Sequence, residues 1–240
     1  MKKIILSVVS ATIQIAAIAQ TVNVHFKNGQ VIEYPSENVD YVDFSVAPTP
    51  STITAGEAVD LGLSVLWASC NLGASKPEEA GDYFSWGETQ TKNLYTPESY
   101  AYFDTAKQTY ISIGSEISNT EYDAAKVKLG DGWRMPTSEE MEELLNNCTW
   151  EWKEQSGKWG YVVTGKNGNT IFIPAAGKKH QAVVLYLNEG LYLWCSTQYA
   201  YSSENKMAYI LSKEKYGTLQ TTVHVKFNGI PIRPVKNKTN

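Results

Sequence analysis

Histidine, cysteine and serine motifs are where chemistry would first be expected in this chain, and they are sparse. The three histidines, His25, His180 and His224, are far apart, and no Gly-x-Ser-x-Gly nucleophile elbow accompanies them. The sequence also has no His-Glu-x-x-His motif, no closely spaced Cys/His pair and no EF-hand loop. We therefore expect no catalytic triad, no metal site and no cofactor, and we interpret each histidine as an ordinary surface or strand residue.

Tyrosines in polar segments are the side chains best suited to recognition. The chain has 15 tyrosines, and several lie in the poorly periodic stretch 88–121 or in a second polar segment after Trp194. An exposed loop tyrosine offers a large contact area and loses little conformational entropy on binding. We predict one patch of exposed rings at one end of the domain, formed by Tyr95, Tyr100, Tyr102, Tyr199 and Tyr201. The alternative is a long loop that folds back on its own rings.

The run WRMPTSEEMEELLNNC, residues 133–148, predicts a capped helix. Thr137 and Glu140 have the spacing of a capping box, in which each side chain bonds the backbone amide of the other residue. An apolar stripe with helical periodicity follows at Met141, Leu144, Leu145 and Cys148. We interpret the glutamates of this run as a solvated helix face rather than as metal ligands.

Short apolar runs predict an antiparallel sheet around this helix. A strand is expected at 59–68, a second helix at 122–129, and a hairpin at 160–174 with Asn167-Gly168 at its turn. Further strands are predicted at 182–187, 191–196, 206–212 and 220–227. Because the helices are confined to one region, the pattern is typical of the α+β class. We predict an α+β domain with two short helices and an antiparallel sheet.

Residues 1–19 have the features of a secretory signal peptide. Lys2 and Lys3 precede a mostly apolar stretch that ends in the cleavage motif Ala17-Ile18-Ala19. No cysteine follows this motif directly, which argues against a lipoprotein anchor, and no transmembrane segment is expected after signal removal. We predict a protein that is secreted or held in the cell envelope of a Gram-negative bacterium, in the periplasm or on the outer surface.

The segment after the signal predicts a small N-terminal module. Residues 20–46 alternate around a Lys27-Asn28-Gly29 turn, which indicates a β-hairpin, and a third short strand, YVDFSV, is expected after it. Residues 47–57 have the composition of a linker. The chain has 21 basic and 25 acidic residues, and signal removal takes away two of the basic ones, Lys2 and Lys3. No run of basic residues remains. This balance argues against nucleic acid as a partner.

Six motifs follow one another through residues 58–236 and leave 237–240 as a tail. They are VDLGLSVLWASCNLGA (59–74), AGDYFSWGET (80–89), YDAAKVKLGDGWRMPT (122–137), GYVVTGKNGNTIFIPAAG (160–177), LYLWCST (191–197) and IPIRPV (230–235). In this order they resemble the Fibrobacter succinogenes major paralogous domain, a family common in secreted Bacteroidota proteins. That family is similar in turn to formylglycine-generating, sulfatase-modifying enzymes, so the resemblance implies a C-type-lectin-like fold.

The resemblance leaves three functions open. The related enzymes use two cysteines in the last third of the domain, where this chain has Cys195 alone, and the calcium-binding motifs of sugar-binding C-type lectins are missing. We therefore expect a non-enzymatic recognition or surface-assembly module whose partner is a glycan or a surface protein. The alternatives are an extracellular enzyme related to the formylglycine-generating group and a structural component of a surface appendage.

Three cysteines permit three disulfide pairings and leave one thiol over. Cys70 follows a predicted strand and Cys148 ends the capped helix, and both lie in regions that resemble the family. Export permits a disulfide, and we predict that Cys70 is bonded to Cys148. The alternative is three reduced thiols that act as small core residues.

Overall fold

The computed structural model describes residues 21–25, 31–35, 55–130, 132–201, 204–213 and 217–238. These residues belong to two compact units, Met1–Thr49 and Pro50–Asn240. The predicted signal peptide, the third N-terminal strand and the linker as far as residue 54 lie outside the described residues. In the first unit, β1 (Thr21–His25) pairs antiparallel with β2 (Val31–Pro35), which confirms the predicted hairpin. Neither described helix is long and apolar enough to cross a membrane.

The second unit is built mostly of antiparallel β-sheet with two short helices, in agreement with the predicted class. Its larger sheets have the strand orders β3-β4-β16-β7, β10-β9-β8 and β13-β14-β15, and β5–β6 and β11–β12 form separate pairs. The elements are β3 (Ala58–Asp60), β4 (Val65–Ala68), β5 (Phe103–Asp104), β6 (Thr109–Tyr110), α1 (Ala124–Leu129), β7 (Trp133–Arg134), α2 (Ser138–Asn147), β8 (Thr149–Gln155), β9 (Lys158–Thr164), β10 (Thr170–Pro174), β11 (Lys178–His180), β12 (Val183–Leu185), β13 (Leu191–Gln198), β14 (Met207–Lys213), β15 (Gln220–Val225) and β16 (Val235–Asn237).

The predicted strand 59–68 is interrupted and forms two strands, β3 and β4, which pair with each other. At the interruption the Asp60 carboxylate accepts a hydrogen bond from the backbone amide of Gly62 at 2.8 Å. Gly62 has a φ of 78°, in the left-handed region that glycine adopts without steric cost. The chain therefore turns at this point, and β4 goes on to pair with β16, where Trp67 lies opposite Val235.

The sheet β13–β14–β15 divides the core into two clusters. The first cluster contains odd-numbered β13 residues and α2, including Leu191, Leu193, Cys195, Met141 and Leu144. The second contains even-numbered β13 and β14 residues and α1, including Tyr192, Trp194, Ile210, Ala124 and Ala125. Successive side chains of a strand point to opposite faces. The two clusters therefore lie on opposite faces of this sheet.

Helix α2 has the predicted cap and the predicted buried face. The Thr137 hydroxyl accepts from the Glu140 amide at 3.2 Å, and the Glu140 carboxylate accepts from the Thr137 amide at 3.0 Å. Arg134 donates to the same carboxylate at 2.7 Å and ties the start of the helix to β7. Met141 and Leu144 are fully buried in the first cluster. The capping box and the apolar stripe are thus confirmed.

The predicted Cys70–Cys148 disulfide is corrected, because all three cysteines are free thiols in the structure. Cys70 is buried beside Ser69, with 3.7 Å between the sulfur and the hydroxyl oxygen. Cys148 ends α2 and packs, half-buried, against the first cluster. The two sulfurs thus have different surroundings, and Cys195 lies fully buried within the first cluster.

Candidate functional site

The long loop predicted at 88–121 folds onto its own tyrosine rings. Tyr95 and Tyr100 have 0% and 2% of their surface exposed. Their hydroxyls donate to the backbone carbonyls of Tyr83 and Trp86, at 2.6 and 2.7 Å respectively. A ring buried and bonded in this way cannot contact a ligand. The prediction that Tyr95 and Tyr100 are binding residues is therefore wrong, and the loop-folding alternative holds for both.

A half-buried ion pair accounts for the inward position of these rings. Lys92 lies 2.8 Å from the Glu88 carboxylate, and its Nζ is 5.5 Å from the ring centroid of Tyr95 and 5.7 Å from that of Tyr100. Tyr102, which is half-buried, packs edge-to-face on Tyr100 at 5.5 Å. Cation–π and edge-to-face contacts stabilise rings that face one another. Tyr102 therefore also belongs to the internal packing of the loop.

Tyr199 and Tyr201 differ from Tyr95 and Tyr100 because neither ring is fully buried: Tyr199 is half-buried and Tyr201 is exposed. Tyr201 has 85% of its surface exposed. Its ring lies 5.6 Å from the ring of Tyr199, which lies 5.6 Å from the ring of Tyr209 on β14. We call these three residues the tyrosine patch. Within this patch Tyr201 has the exposure that recognition needs, whereas Tyr199 and Tyr209 are half-buried. The role of Tyr199 and Tyr201 in binding stays a prediction.

The long loop 88–121 and the segment that carries Tyr199 and Tyr201 lie next to each other in the structure. The Gln198 amide donates to the Ser115 carbonyl at 2.8 Å, and the Thr197 hydroxyl donates to the Glu116 carboxylate at 2.8 Å. The segment that carries the tyrosine patch is thus anchored on the end of the long loop. The five predicted residues nevertheless do not form one exposed patch, because Tyr95 and Tyr100 are buried and Tyr102 is half-buried.

A cavity of about 280 Å³ lies on one face of the sheet β13–β14–β15. The register of the sheet builds its floor, because Tyr192 lies opposite Ser212 and Ser212 lies opposite Gln220. Thr222 follows on the same face, since side chains two residues apart on a strand share a face. We call this cavity the Lys178–His224 pocket. It is lined by Lys178, Tyr192, Ile210, Ser212, Gly217, Thr218, Gln220, Thr222, Val223 and His224.

A lysine and a neutral histidine meet in this pocket. The Nζ atom of Lys178, on β11, is 2.9 Å from Nε2 of His224 and 4.7 Å from the ring centroid of Tyr192. Burial, and then the nearby charge of Lys178, lower the pKa of His224 to about 4. The imidazole is therefore neutral at pH 7. Its Nε2 accepts a hydrogen bond from the lysine ammonium, which has donors but no acceptor.

A second histidine joins the same polar chain. Nδ1 of His180 lies 3.0 Å from the side-chain oxygen of Asn228, and the side-chain nitrogen of Asn228 lies 3.5 Å from Nδ1 of His224. Asn228 is buried. His180 and His224 lie on strands β11 and β15, as the sequence interpretation allowed. They are not isolated residues, however, because both contact the buried side chain of Asn228.

The tyrosine patch and the Lys178–His224 pocket lie on opposite faces of one sheet. Tyr209 and Ile210 are adjacent on β14 and therefore point to opposite sides. Tyr209 packs against the first cluster, whereas Ile210 belongs to the second cluster and lines the pocket. A small ligand held in the pocket cannot touch the patch.

The chemistry of the pocket favours binding. The serine, threonine and glutamine side chains of the lining both donate and accept hydrogen bonds, and they are Ser212, Thr218, Thr222 and Gln220. The Nε2 atom of His224 already accepts from Lys178, so it is not poised to take a proton from a substrate. Within the described part of the chain, no group of three His, Cys, Asp or Glu side chains could hold a metal ion.

Sequence reasoning missed the pocket because its principal residues come from separate elements. Lys178 and His224 are 46 residues apart, and the turn between β11 and β12 gives no sign of their contact. The available signal was the composition of β15, QTTVHV, whose even-numbered residues Gln220, Thr222 and His224 place polar groups along one face. Polar residues along one face of a strand are ordinarily exposed to solvent, so this pattern does not by itself indicate a pocket.

The family resemblance drawn from the six motifs stays a prediction at this point. In comparisons with known proteins, no protein-family model, no curated protein and no solved structure matches the chain.

Proposed function

We propose that this protein is a secreted, non-enzymatic recognition module that binds a glycan in the Lys178–His224 pocket. The observation that carries the proposal is a cavity of about 280 Å³ with hydroxyl, amide, ammonium and imidazole groups in its lining. Pockets for drug-sized ligands run from about 300 to 1,000 Å³, so this cavity suits a single sugar residue. Sugar hydroxyls both donate and accept hydrogen bonds, as the serine, threonine and glutamine side chains of the lining do.

The surroundings of Cys195 and His224, the cysteine and histidine best placed to react, favour binding over catalysis. Cys195, the residue singled out by the resemblance to formylglycine-generating enzymes, is fully buried, and burial raises its pKa well above the ordinary value. A cysteine nucleophile needs an accessible thiolate. His224 is neutral and bonded to Lys178. We therefore assign a catalytic role to neither residue.

The wider assignments fit this function. We propose that residues 58–236 form a C-type-lectin-like domain of the Fibrobacter succinogenes major paralogous type, and that residues 1–19 direct export to the envelope or beyond. Two short helices and an antiparallel sheet support the fold assignment, and the ordered motifs support the family. In that compartment the partner would be a polysaccharide or a glycosylated surface protein.

Adjacent threonines on β15 provide a matched test of the pocket. Thr222 lines the cavity, whereas Thr221 points to the other face and donates to the Glu142 carboxylate at 3.1 Å. The chain should bind at least one glycan on an array of immobilised polysaccharides. Thr222→Val, which replaces a hydroxyl by a methyl group, should weaken that binding by about tenfold through one lost hydrogen bond. Thr221→Val should leave it unchanged.

Two results would contradict the proposal. If no glycan on the array is bound, the recognition function is rejected. If Thr222→Val has no effect while Tyr199→Ala combined with Tyr201→Ala abolishes binding, the contact surface is the tyrosine patch and the pocket is not the site. Thermal unfolding of each variant provides the control for loss of structure.

A different surface supports surface assembly as a second function. Among the described strands, β12 pairs with β11 alone, so its outer edge can accept another strand. We propose strand addition by a partner at this edge, and Val184→Lys should reduce association measured by sedimentation without changing glycan binding. An unchanged sedimentation profile would reject this role. The apolar run along the edge is 36–54% exposed and consists of Val183, Val184, Leu185, Tyr186 and Leu187.

A further inference from the structure

Strand β8 is the outer strand of the three-stranded sheet β10–β9–β8. Among the described strands it pairs with β9 alone, and the four side chains of residues 151–154 are all exposed. Trp152, which is 41% exposed, stacks on Trp159, which is 39% exposed, with 5.7 Å between the ring centroids. An outer strand offers its unpaired backbone donors and acceptors to another chain. Strand β8 can therefore accept a further strand.

The hydrogen bonds of β9 show which residues of β8 face the open edge. The Trp159 carbonyl accepts from the Ala175 amide at 2.8 Å, on the side of β9 that faces away from β8. Trp159 lies opposite Glu154, so these two residues form a pair that exchanges no backbone hydrogen bonds. Bonded and non-bonded pairs alternate along an antiparallel ladder. Trp150, Trp152 and Glu154 therefore direct their amides and carbonyls to the open edge.

The charges of β8 are complementary to a second copy of the same strand. If Trp152 lies opposite the second copy's Trp152 in an antiparallel pair, Glu151 lies opposite Lys153, and the two-fold axis repeats that contact. Residues 150, 152 and 154 of the two strands then exchange the backbone bonds. Glu151 and Lys153 form the non-bonded pairs, in which side chains come closest.

Neighbouring registers are disfavoured by the same charges. Moving the axis by one residue, to Glu151 or to Lys153, places two like charges directly opposite each other, which destabilises a strand pair. Both side chains are exposed, and within the described part of the chain neither forms an ion pair with another residue. Their charges are thus available to a partner strand, and they select the register centred on Trp152.

We infer that two copies of this chain associate through β8, paired antiparallel about a two-fold axis at Trp152. The dimer joins two three-stranded sheets into one sheet of six strands and brings the two stacked tryptophan pairs side by side. The inference is independent of the proposed function, because it uses neither the Lys178–His224 pocket nor the edge of β12.

Charge reversal tests the register by sedimentation of the full chain over a range of concentrations. The wild-type chain should show a monomer–dimer equilibrium. Glu151→Lys should weaken the dimer by at least about tenfold, because symmetry turns one substitution into two like-charge contacts, and Lys153→Glu should do the same. An equimolar mixture of the two variants should dimerise like the wild type, since each contact then joins opposite charges.

Lys158→Glu is the matched control, because it changes the charge as Lys153→Glu does at an exposed residue of β9, and it should leave the dimer intact. A wild-type chain that stays monomeric at every concentration would overturn the inference. A mixture that fails to restore the dimer would overturn the register. A dimer that is dissociated by Val184→Lys but not by Glu151→Lys would place the interface on β12 and also overturn the inference.

Hydrogen exchange locates the interface without any variant. The amides of Trp152 and Glu154 should exchange more slowly at high than at low protein concentration, because they point to the open edge in the monomer and are bonded in the dimer. The amide of Val184 on β12 should exchange at the same rate at both concentrations. Protection that appears at Val184 and not at Trp152 would contradict pairing through β8.

Discussion

His224 connects the pocket with the pH dependence of stability. Its folded pKa of about 4 lies below the ordinary value of 6.5 because the ring is buried beside Lys178. Between these two values the unfolded chain binds the proton and the folded chain does not, so stability must fall as the pH decreases through this window. The full loss expected from this one residue is roughly 3 kcal/mol, since each pKa unit corresponds to about 1.4 kcal/mol.

Urea unfolding at pH 7 and at pH 4.5 measures this effect. The wild-type chain should lose roughly 2 kcal/mol between these pH values through His224, and His224→Gln should lose correspondingly less because it has no group that titrates there. His224→Gln also removes the acceptor of Lys178, so the comparison uses the change with pH and not the absolute stability. Equal pH dependence of the two proteins would show that folding does not lower the pKa of His224.

Two tyrosines test the distinction between packing and recognition. The Tyr100 hydroxyl is buried and donates to the Trp86 carbonyl, so Tyr100→Phe leaves that carbonyl without its partner and should cost about 1–3 kcal/mol of unfolding free energy. Tyr201→Phe removes a hydroxyl from a side chain that is 85% exposed and should change stability by less than about 0.5 kcal/mol. Similar costs for the two would show that the long loop is not anchored through Tyr100.

Helix α2 is the element in which local signals and packing can be separated. Thr137→Ala removes the cap and should cost about 0.5–2 kcal/mol. Leu144→Ala removes a fully buried side chain from the first cluster and should cost about 2–5 kcal/mol. Chemical denaturation of both variants gives the order. A larger cost for Thr137→Ala would mean that the stripe contributes less than the cap.

Elements that neighbouring residues specify could be predicted from the sequence. A strand in which charged residues alternate with the apolar ones could not. The capping box of α2 and the Asn167-Gly168 turn between β9 and β10 are set by neighbouring residues, and Gly168 has the positive φ of 84° that such a turn requires. Strand β8 was missed because charged residues alternate with its tryptophans. Trp150 and Trp152 nevertheless share one face and pack on Tyr161 at 5.7 and 5.0 Å.

Because all three cysteines are free thiols, we expect that the stability of the whole molecule does not depend on disulfide formation. Cys70 and Cys195 are buried and Cys148 is half-buried, with its pKa raised by burial. In native buffer Cys148 should be alkylated slowly and the other two protected. In denaturant without reductant all three should be alkylated, as read by intact mass. Two thiols that stay blocked until reductant is added would restore the predicted disulfide.

The candidate site was less predictable than the fold for a reason that applies to the whole chain. Strand alternation reveals which residues share a face, but not which distant element covers that face. The contact of Lys178 with His224 depends on β11 reaching the surface of β15, and Tyr95 is buried because it reaches the carbonyl of Tyr83. Neither contact has a local sequence signal.

The position of the pocket and the tyrosine patch on opposite faces of the sheet β13–β14–β15 has a consequence for long polymers. When one sugar unit of a polymer is held in the pocket, Tyr201 on the other side of the sheet stays in contact with solvent. If both surfaces bind, one molecule can bridge two separate chains, and two weak contacts can hold a repetitive polymer with an avidity far above either affinity. Under that condition, mixing the protein with a repetitive polymer should produce gelling or agglutination, whereas a protein with one binding surface would only coat the polymer.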